Sequence, residues 1–143
     1  MLDTALATLV YWQHPAAILC SGLLFGGMTL FAFGFAASLF TALPPESARL
    51  AIRKTFPHFY MWVIIISLCA AALSWQTDER VCIILAVIGV STIPTRQILM
   101  PRINAASDAK DFRAFKWLHG VSVVITLVHI GASGYSLVSI GRS

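Results

Sequence analysis

The chain has 143 residues, of which 58% are hydrophobic and only 11% are charged, and its formal net charge is +4. This composition excludes a soluble domain with an ordinary charged surface, and the few dispersed basic residues form no nucleic-acid-binding motif. A chain of this length and composition is expected to form one membrane domain spanning residues 1–143.

Four long apolar stretches take up most of the chain, at about residues 15–40, 56–75, 81–103 and 115–140. A helix needs about 20 mainly apolar residues to cross a hydrocarbon core about 30 Å thick, because each residue rises about 1.5 Å. All four stretches meet this requirement. We therefore predict an all-α integral membrane four-helix bundle in which neighbouring helices are antiparallel.

The first helix is expected to pack closely through Gly26 and Gly27, since small residues let membrane helices approach one another. It should end at Pro44, because proline lacks a backbone donor and restricts the residue before it. The segment 46–53 then places Leu50 on one face and its arginines on another. This pattern predicts a short interfacial helix that lies flat between helices one and two.

The basic residues predict the orientation of the bundle. Seven of the ten lysines and arginines fall between helices one and two or between helices three and four: Arg49, Arg53, Lys54, Arg102, Lys110, Arg113 and Lys116. By the positive-inside rule, both basic loops are cytoplasmic and both termini lie outside. We therefore expect an integral protein of a bacterial inner membrane whose basic loops touch anionic lipid heads.

Helix three carries Arg96 between two prolines, Pro94 and Pro101. The arginine can extend along its own stem to the head groups, or it can act as a fixed cation for an anionic ligand. The prolines favour the second interpretation, because each removes a helical hydrogen bond and broken backbone at membrane depth usually lines protein or a wet cavity.

Helix four carries a polar stripe with intervals of 3, 4, 3, 4 and 3 residues: His119, Ser122, Thr126, His129, Ser133 and Ser136. One helical face holds all six, and it must point at protein or water. Close helix packing is the simpler interpretation of the hydroxyls, and the alternative is a functional role. Thr126 and His129 form the intramembrane polar part of the stripe, and a histidine at that depth is a functional candidate because ionisable groups are costly in lipid.

These patterns predict one polar site at the cytoplasmic ends of the helices, made of Arg96, Arg102, Asn104, His119 and Ser122. The two arginines would attract an anionic group, while His119 and Ser122 would exchange hydrogen bonds with it. The alternative is a network that only caps helices and holds arginines at the head groups.

Four blocks of the sequence, at residues 31–44, 56–60, 100–104 and 115–122, resemble the transmembrane protein 205-like family of small four-helix membrane proteins. The recurrent motif positions match Phe56, Pro57, Tyr60, Pro101, Arg102, Asn104, His119, Gly120 and Ser122. The resemblance implies a membrane protein without an established enzyme activity, with a role in handling soft metals or in export.

Several functions remain open at this point. The first is a transport or binding module for soft metals or small anions, and the second is a redox protein that holds b-type haem between His58 and His119. The third is an accessory subunit of a larger complex. Neither paired carboxylates nor a nucleophile motif is present, so we predict no enzyme. The sequence does not identify a cofactor: the absence of one is the main expectation, and b-type haem is the alternative. The expected partners are the lipid bilayer and either further copies of this chain or a larger membrane complex, with no nucleic acid.

Overall fold

The computed structural model describes the backbone of residues 2–142 and the side chains of residues 11–142. Its helices are α1 (Leu2–Thr29), α2 (Ala36–Ala42), α3 (Pro45–Ser74), α4 (Glu79–Pro94), α5 (Met100–Asp108) and α6 (Phe112–Ile140). Two π-helical segments join them, Leu30–Phe35 between α1 and α2 and Thr95–Leu99 between α4 and α5. The described residues contain no strand.

Four continuous helices are long and apolar enough to cross a membrane, and we call them span I (Tyr11–Ala42), span II (Pro45–Ser74), span III (Glu79–Asp108) and span IV (Phe112–Ile140). The prediction of an all-α membrane four-helix bundle is thereby confirmed. Each span contacts its neighbour in the chain, and span I also contacts span IV, so the four helices form a ring in chain order. Loops of only a few residues make consecutive spans antiparallel.

The two ends of the bundle differ in charge. The basic end carries the loops 43–44 and 109–111, and most of the lysines and arginines lie around them. The opposite end, called the terminal end here, carries loop 75–78, the start of α1 and the end of α6. Two spans begin at aspartate caps: the Asp78 carboxylate accepts from the backbone of Arg80, and that of Asp111 accepts from Ala114.

The interior of the bundle is a continuous apolar core to which all four spans contribute. Its largest members are Leu24 and Met28 of span I, Val63 of span II, Leu85 and Ile88 of span III, and Ile130 and Ile140 of span IV. Gly27 lies directly against the Trp62 ring, as a close helix contact requires. The expected contact at Gly26 is wrong, because a Cβ there would meet nothing within 4 Å.

The second π segment lies between the two prolines of span III. Pro94 and Pro101 remove two amide donors, and between them the Met100 N–H donates to the carbonyl of Thr95, five residues back. The hydroxyl of Thr95 donates to the carbonyl of Ser91 at 3.0 Å, and the backbone N–H of Thr95 donates to the carbonyl of Thr92. Such local adjustments satisfy the backbone groups that proline frees inside a membrane.

The segment 46–53 is helical, as predicted, but it forms the first turns of span II rather than a separate interfacial helix. Pro57 costs only one backbone hydrogen bond and does not end the helix. Aromatic packing holds this region together, because the Phe31 ring of span I lies 5.2 Å from that of Phe56 and 3.9 Å from that of Phe59. Spans II and III also run beyond the predicted limits, since polar residues continue the helices.

Candidate functional site

Two hydrogen bonds between side chains tie span IV to the other helices inside the bundle. The hydroxyls of Tyr60 and Ser122 lie 3.3 Å apart, and both residues are buried. The Nε2 atom of His129 lies 2.9 Å from Oγ of Ser91. The same Ser91 hydroxyl lies 2.6 Å from the carbonyl of Val87, so it links the His129 ring to the backbone of span III.

The polar stripe of span IV faces protein from Ser122 to Ser136, as the sequence predicted. Ser122, His129, Ser133 and Ser136 are buried and Thr126 is half-buried. Most of the hydroxyls serve their own helix: Thr126 donates to the carbonyl of Ser122, Ser133 to that of Ile130, and Ser136 to that of Ala132. His119 differs from the rest, because it is exposed and stacks on Phe115.

A small enclosed cavity lies where these polar side chains meet. Its volume is about 10 Å³, and its polar lining comes from Tyr60, Thr92, Thr95, Thr126 and His129. This is about the space that one water molecule occupies. The cavity is far too small for a haem or for a solute path along the bundle axis.

At the basic end, Arg53 joins span II to the end of span III. Its Nη1 donates to the Asp108 carboxylate at 3.1 Å, and its Nη2 donates to the same carboxylate and to the backbone carbonyl of Asn104, also at 3.1 Å. The side chains of Arg53 and Asp108 are 28% and 62% exposed. An ion pair this exposed contributes little to stability, because solvent screens the two charges. The sequence missed this pair because it assigned the two residues to an interfacial helix and a loop.

The two arginines predicted for one site, Arg96 and Arg102, lie on different sides of span III. Nε of Arg96 donates to the carbonyl of Pro57 at 3.2 Å, which holds this side chain against span II. Arg102 is exposed and lies on the side of span IV. The spacing itself indicates this, because six residues correspond to about one and two-thirds turns of a regular helix and to somewhat fewer across the π segment, so the two side chains do not share a face.

Arg102 lies in a groove between spans III and IV that opens on the outer surface of the bundle. The groove has a volume of about 270 Å³ and is lined by Ser91, Pro94, Thr95, Ile98, Leu99, Arg102 and Ile125. We call it the Arg102 groove. Within the described part of the chain, Arg102 makes no hydrogen bond or ion pair. It is therefore a cation at the surface of an apolar groove without a counter-charge in contact with it.

The remaining site predictions stay separate in the structure. Among residues 11–142, no hydrogen bond or ion pair joins any two of Arg96, Arg102, Asn104, His119 and Ser122. Among the described residues, Asn104 contributes only its backbone carbonyl, which accepts a hydrogen bond from Arg53. His58 is exposed, as is His119. The described residues contain no group of three or more histidine, cysteine or acidic side chains that could hold a metal ion.

Comparison with protein families gives one match, to a domain of unknown function (DUF4149), over residues 19–111. The chain belongs to this family. The DUF4149 match includes Arg53, Arg96, Arg102 and Asn104, but it ends just before span IV and so leaves out His119 and Ser122. It supports a membrane protein of an uncharacterised family and gives no support to the narrower transmembrane protein 205-like resemblance. Neither curated proteins nor solved structures gave a match to the DUF4149 chain.

Proposed function

We propose that this chain is a non-enzymatic binding module of the membrane that takes an anionic ligand in the Arg102 groove. The observation that carries the proposal is the exposed guanidinium of Arg102, which lies in an apolar groove of about 270 Å³ and has no partner among the described residues. An unpaired guanidinium at the end of an apolar groove suits a ligand that combines an anionic group with an apolar part. The anionic group would supply the counter-charge that the chain does not.

In the proposed orientation, the basic end faces the cytoplasm and both termini lie outside. Seven lysines and arginines lie at the basic end, against three acidic residues. Exposed aromatic side chains support a bilayer whose two interfaces lie at the two ends of the bundle. Phe112 and Trp117 are exposed near the basic end, and Trp12 and Trp75 near the terminal end. Exposed aromatic residues of this kind are typical of the two membrane interfaces.

The small volume inside the bundle and the side chains around it favour binding over transport and over metal handling. A solute route through one copy has no support, since the enclosed cavity has only about 10 Å³. An anion is favoured over a soft metal, because a guanidinium is always charged and a group of three metal-binding side chains is lacking among the described residues.

The proposal can be tested with dodecyl phosphate, which combines an anionic head with an apolar tail. The purified protein in a mild maltoside detergent should gain thermal stability as dodecyl phosphate is added, because a ligand that binds only the folded state stabilises it. Arg102→Gln should lose most of this gain. Arg80→Gln is the matched control, since Arg80 is an exposed arginine at the other end of the same span. Equal stabilisation of the two variants would refute the site.

A further inference from the structure

We infer that the occupant of the Arg102 groove is an anionic phospholipid of the surrounding bilayer, with an acyl chain along the groove and its phosphate at Arg102. The inference rests on the proposed function and names the ligand of that same site. It depends on three observations: the length of the groove, the chemistry of its walls and the charge at its end.

The groove has the length of one leaflet. It extends along span III from Ser91 to Arg102. These residues are 11 positions apart, which is about 16 Å in a regular helix and slightly less with the π segment between them, and half of a hydrocarbon core about 30 Å thick is about 15 Å. Ser91 also lies midway between Arg80 and Arg102, the arginines near the two ends of the span. The groove thus leads from the bilayer midplane to the interface at the basic end.

The walls of the groove suit a hydrocarbon chain. Pro94, Ile98, Leu99 and Ile125 contribute apolar surface. The hydroxyls in the lining are already used, because Ser91 donates to the carbonyl of Val87 and Thr95 to that of Ser91. The walls therefore present few free donors to a ligand along most of their length. A small polar anion would leave this surface unused, whereas an acyl chain would cover it.

The charge at the interface end suits a phosphate. The guanidinium of Arg53 at the same end of the bundle is held by Asp108, but that of Arg102 has no carboxylate in contact. A basic residue near the membrane surface strengthens binding of an anionic lipid about fivefold. The groove should therefore prefer phosphatidylglycerol to phosphatidylcholine, which has the same acyl chains but no net charge.

Native mass spectrometry of the full chain can test the inference, after incubation with equal amounts of phosphatidylglycerol and phosphatidylcholine. The wild type should retain one phosphatidylglycerol molecule. Arg102→Gln should lower this retention about fivefold, and Ile98→Trp, which fills the groove, should lower it to a similar level. The matched controls are Arg80→Gln and Ile83→Trp, which alter exposed residues of the same span near its terminal end. Both controls should bind like the wild type.

The results also separate this inference from the proposed function. Unchanged phosphatidylglycerol retention in Arg102→Gln and Ile98→Trp, or equal retention of the two lipids by the wild type, would overturn the inference. If dodecyl phosphate still stabilises the protein through Arg102 in that case, the site binds an anion other than a phospholipid and the proposed function stands. If Arg102→Gln and Arg80→Gln respond equally to dodecyl phosphate, both fall. All variants alter exposed side chains, and elution as one sharp peak in detergent checks their folding.

Discussion

The contact between spans I and II predicts that Gly27→Ala destabilises the bundle. A Cβ at position 27 would lie 2.9 and 3.0 Å from two carbons of the Trp62 ring and still closer to a third. Carbon atoms pack at about 3.5 to 4.0 Å, so the ring or the helix must move. Overpacking of this kind costs about 1 to 3 kcal/mol.

Gly26→Ala is the matched control, because its Cβ would meet nothing within 4 Å. Both substitutions gain the same helix propensity of about 0.5 to 1 kcal/mol, so their difference isolates the clash. Gly27→Ala should therefore lower the folded-to-unfolded ratio about 5- to 150-fold relative to Gly26→Ala.

Reversible unfolding in mixed detergent micelles can measure this difference. Adding Trp62→Leu to Gly27→Ala should recover part of the loss, because the ring that obstructs the Cβ is gone. Equal stability of the two alanine variants would refute the close contact between spans I and II.

Three further predictions concern the polar interior and the orientation. A double-mutant cycle of Tyr60→Phe and Ser122→Ala should give a coupling energy of about 0.6 kcal/mol, the average for hydrogen bonds between membrane helices, and a value of zero would contradict the observed bond. His129→Ala should destabilise the bundle by about 1 to 3 kcal/mol. His119→Ala is the control on the same helix, and it should change the stability little because His119 is exposed. Equal losses of stability would contradict the difference in burial. A cysteine at Ser107, in a chain whose native cysteines are replaced, should resist impermeant thiol reagents added to intact cells, and its modification would refute the proposed orientation.

The sequence predicted the number of membrane-spanning helices correctly because hydropathy over about 20 residues reflects burial in lipid, which does not depend on the neighbouring helices. It also predicted the buried face of span IV, since the positions from Ser122 to Ser136 follow the helical period. The ends of spans II and III were less predictable. The apolar stretch of span II begins at residue 56, but the helix begins at Pro45, because the amphipathic segment 46–53 continues it.

The candidate site was only partly predictable. The sequence singled out Arg102 and Pro94 of span III, and both residues line the groove. It grouped Arg102 with Arg96 by depth alone, whereas rotation about the helix axis turns Arg96 towards Pro57 of span II. The groove itself depends on how spans III and IV meet, and a pattern within one helix does not contain that information.

The central claim is that the Arg102 groove holds an anionic phospholipid, and photo-crosslinking in native membranes tests it most directly. A small aliphatic diazirine amino acid (photo-leucine), which is close to isoleucine in size and leaves the groove open, would replace Ile98 in the groove or Ile83 outside it, followed by irradiation and mass analysis of the purified chain. The photo-leucine variant at position 98 should gain the mass of one anionic phospholipid, and adding Arg102→Gln should reduce that product. A crosslink from position 98 to another protein, or equal lipid labelling at positions 98 and 83, would contradict the claim.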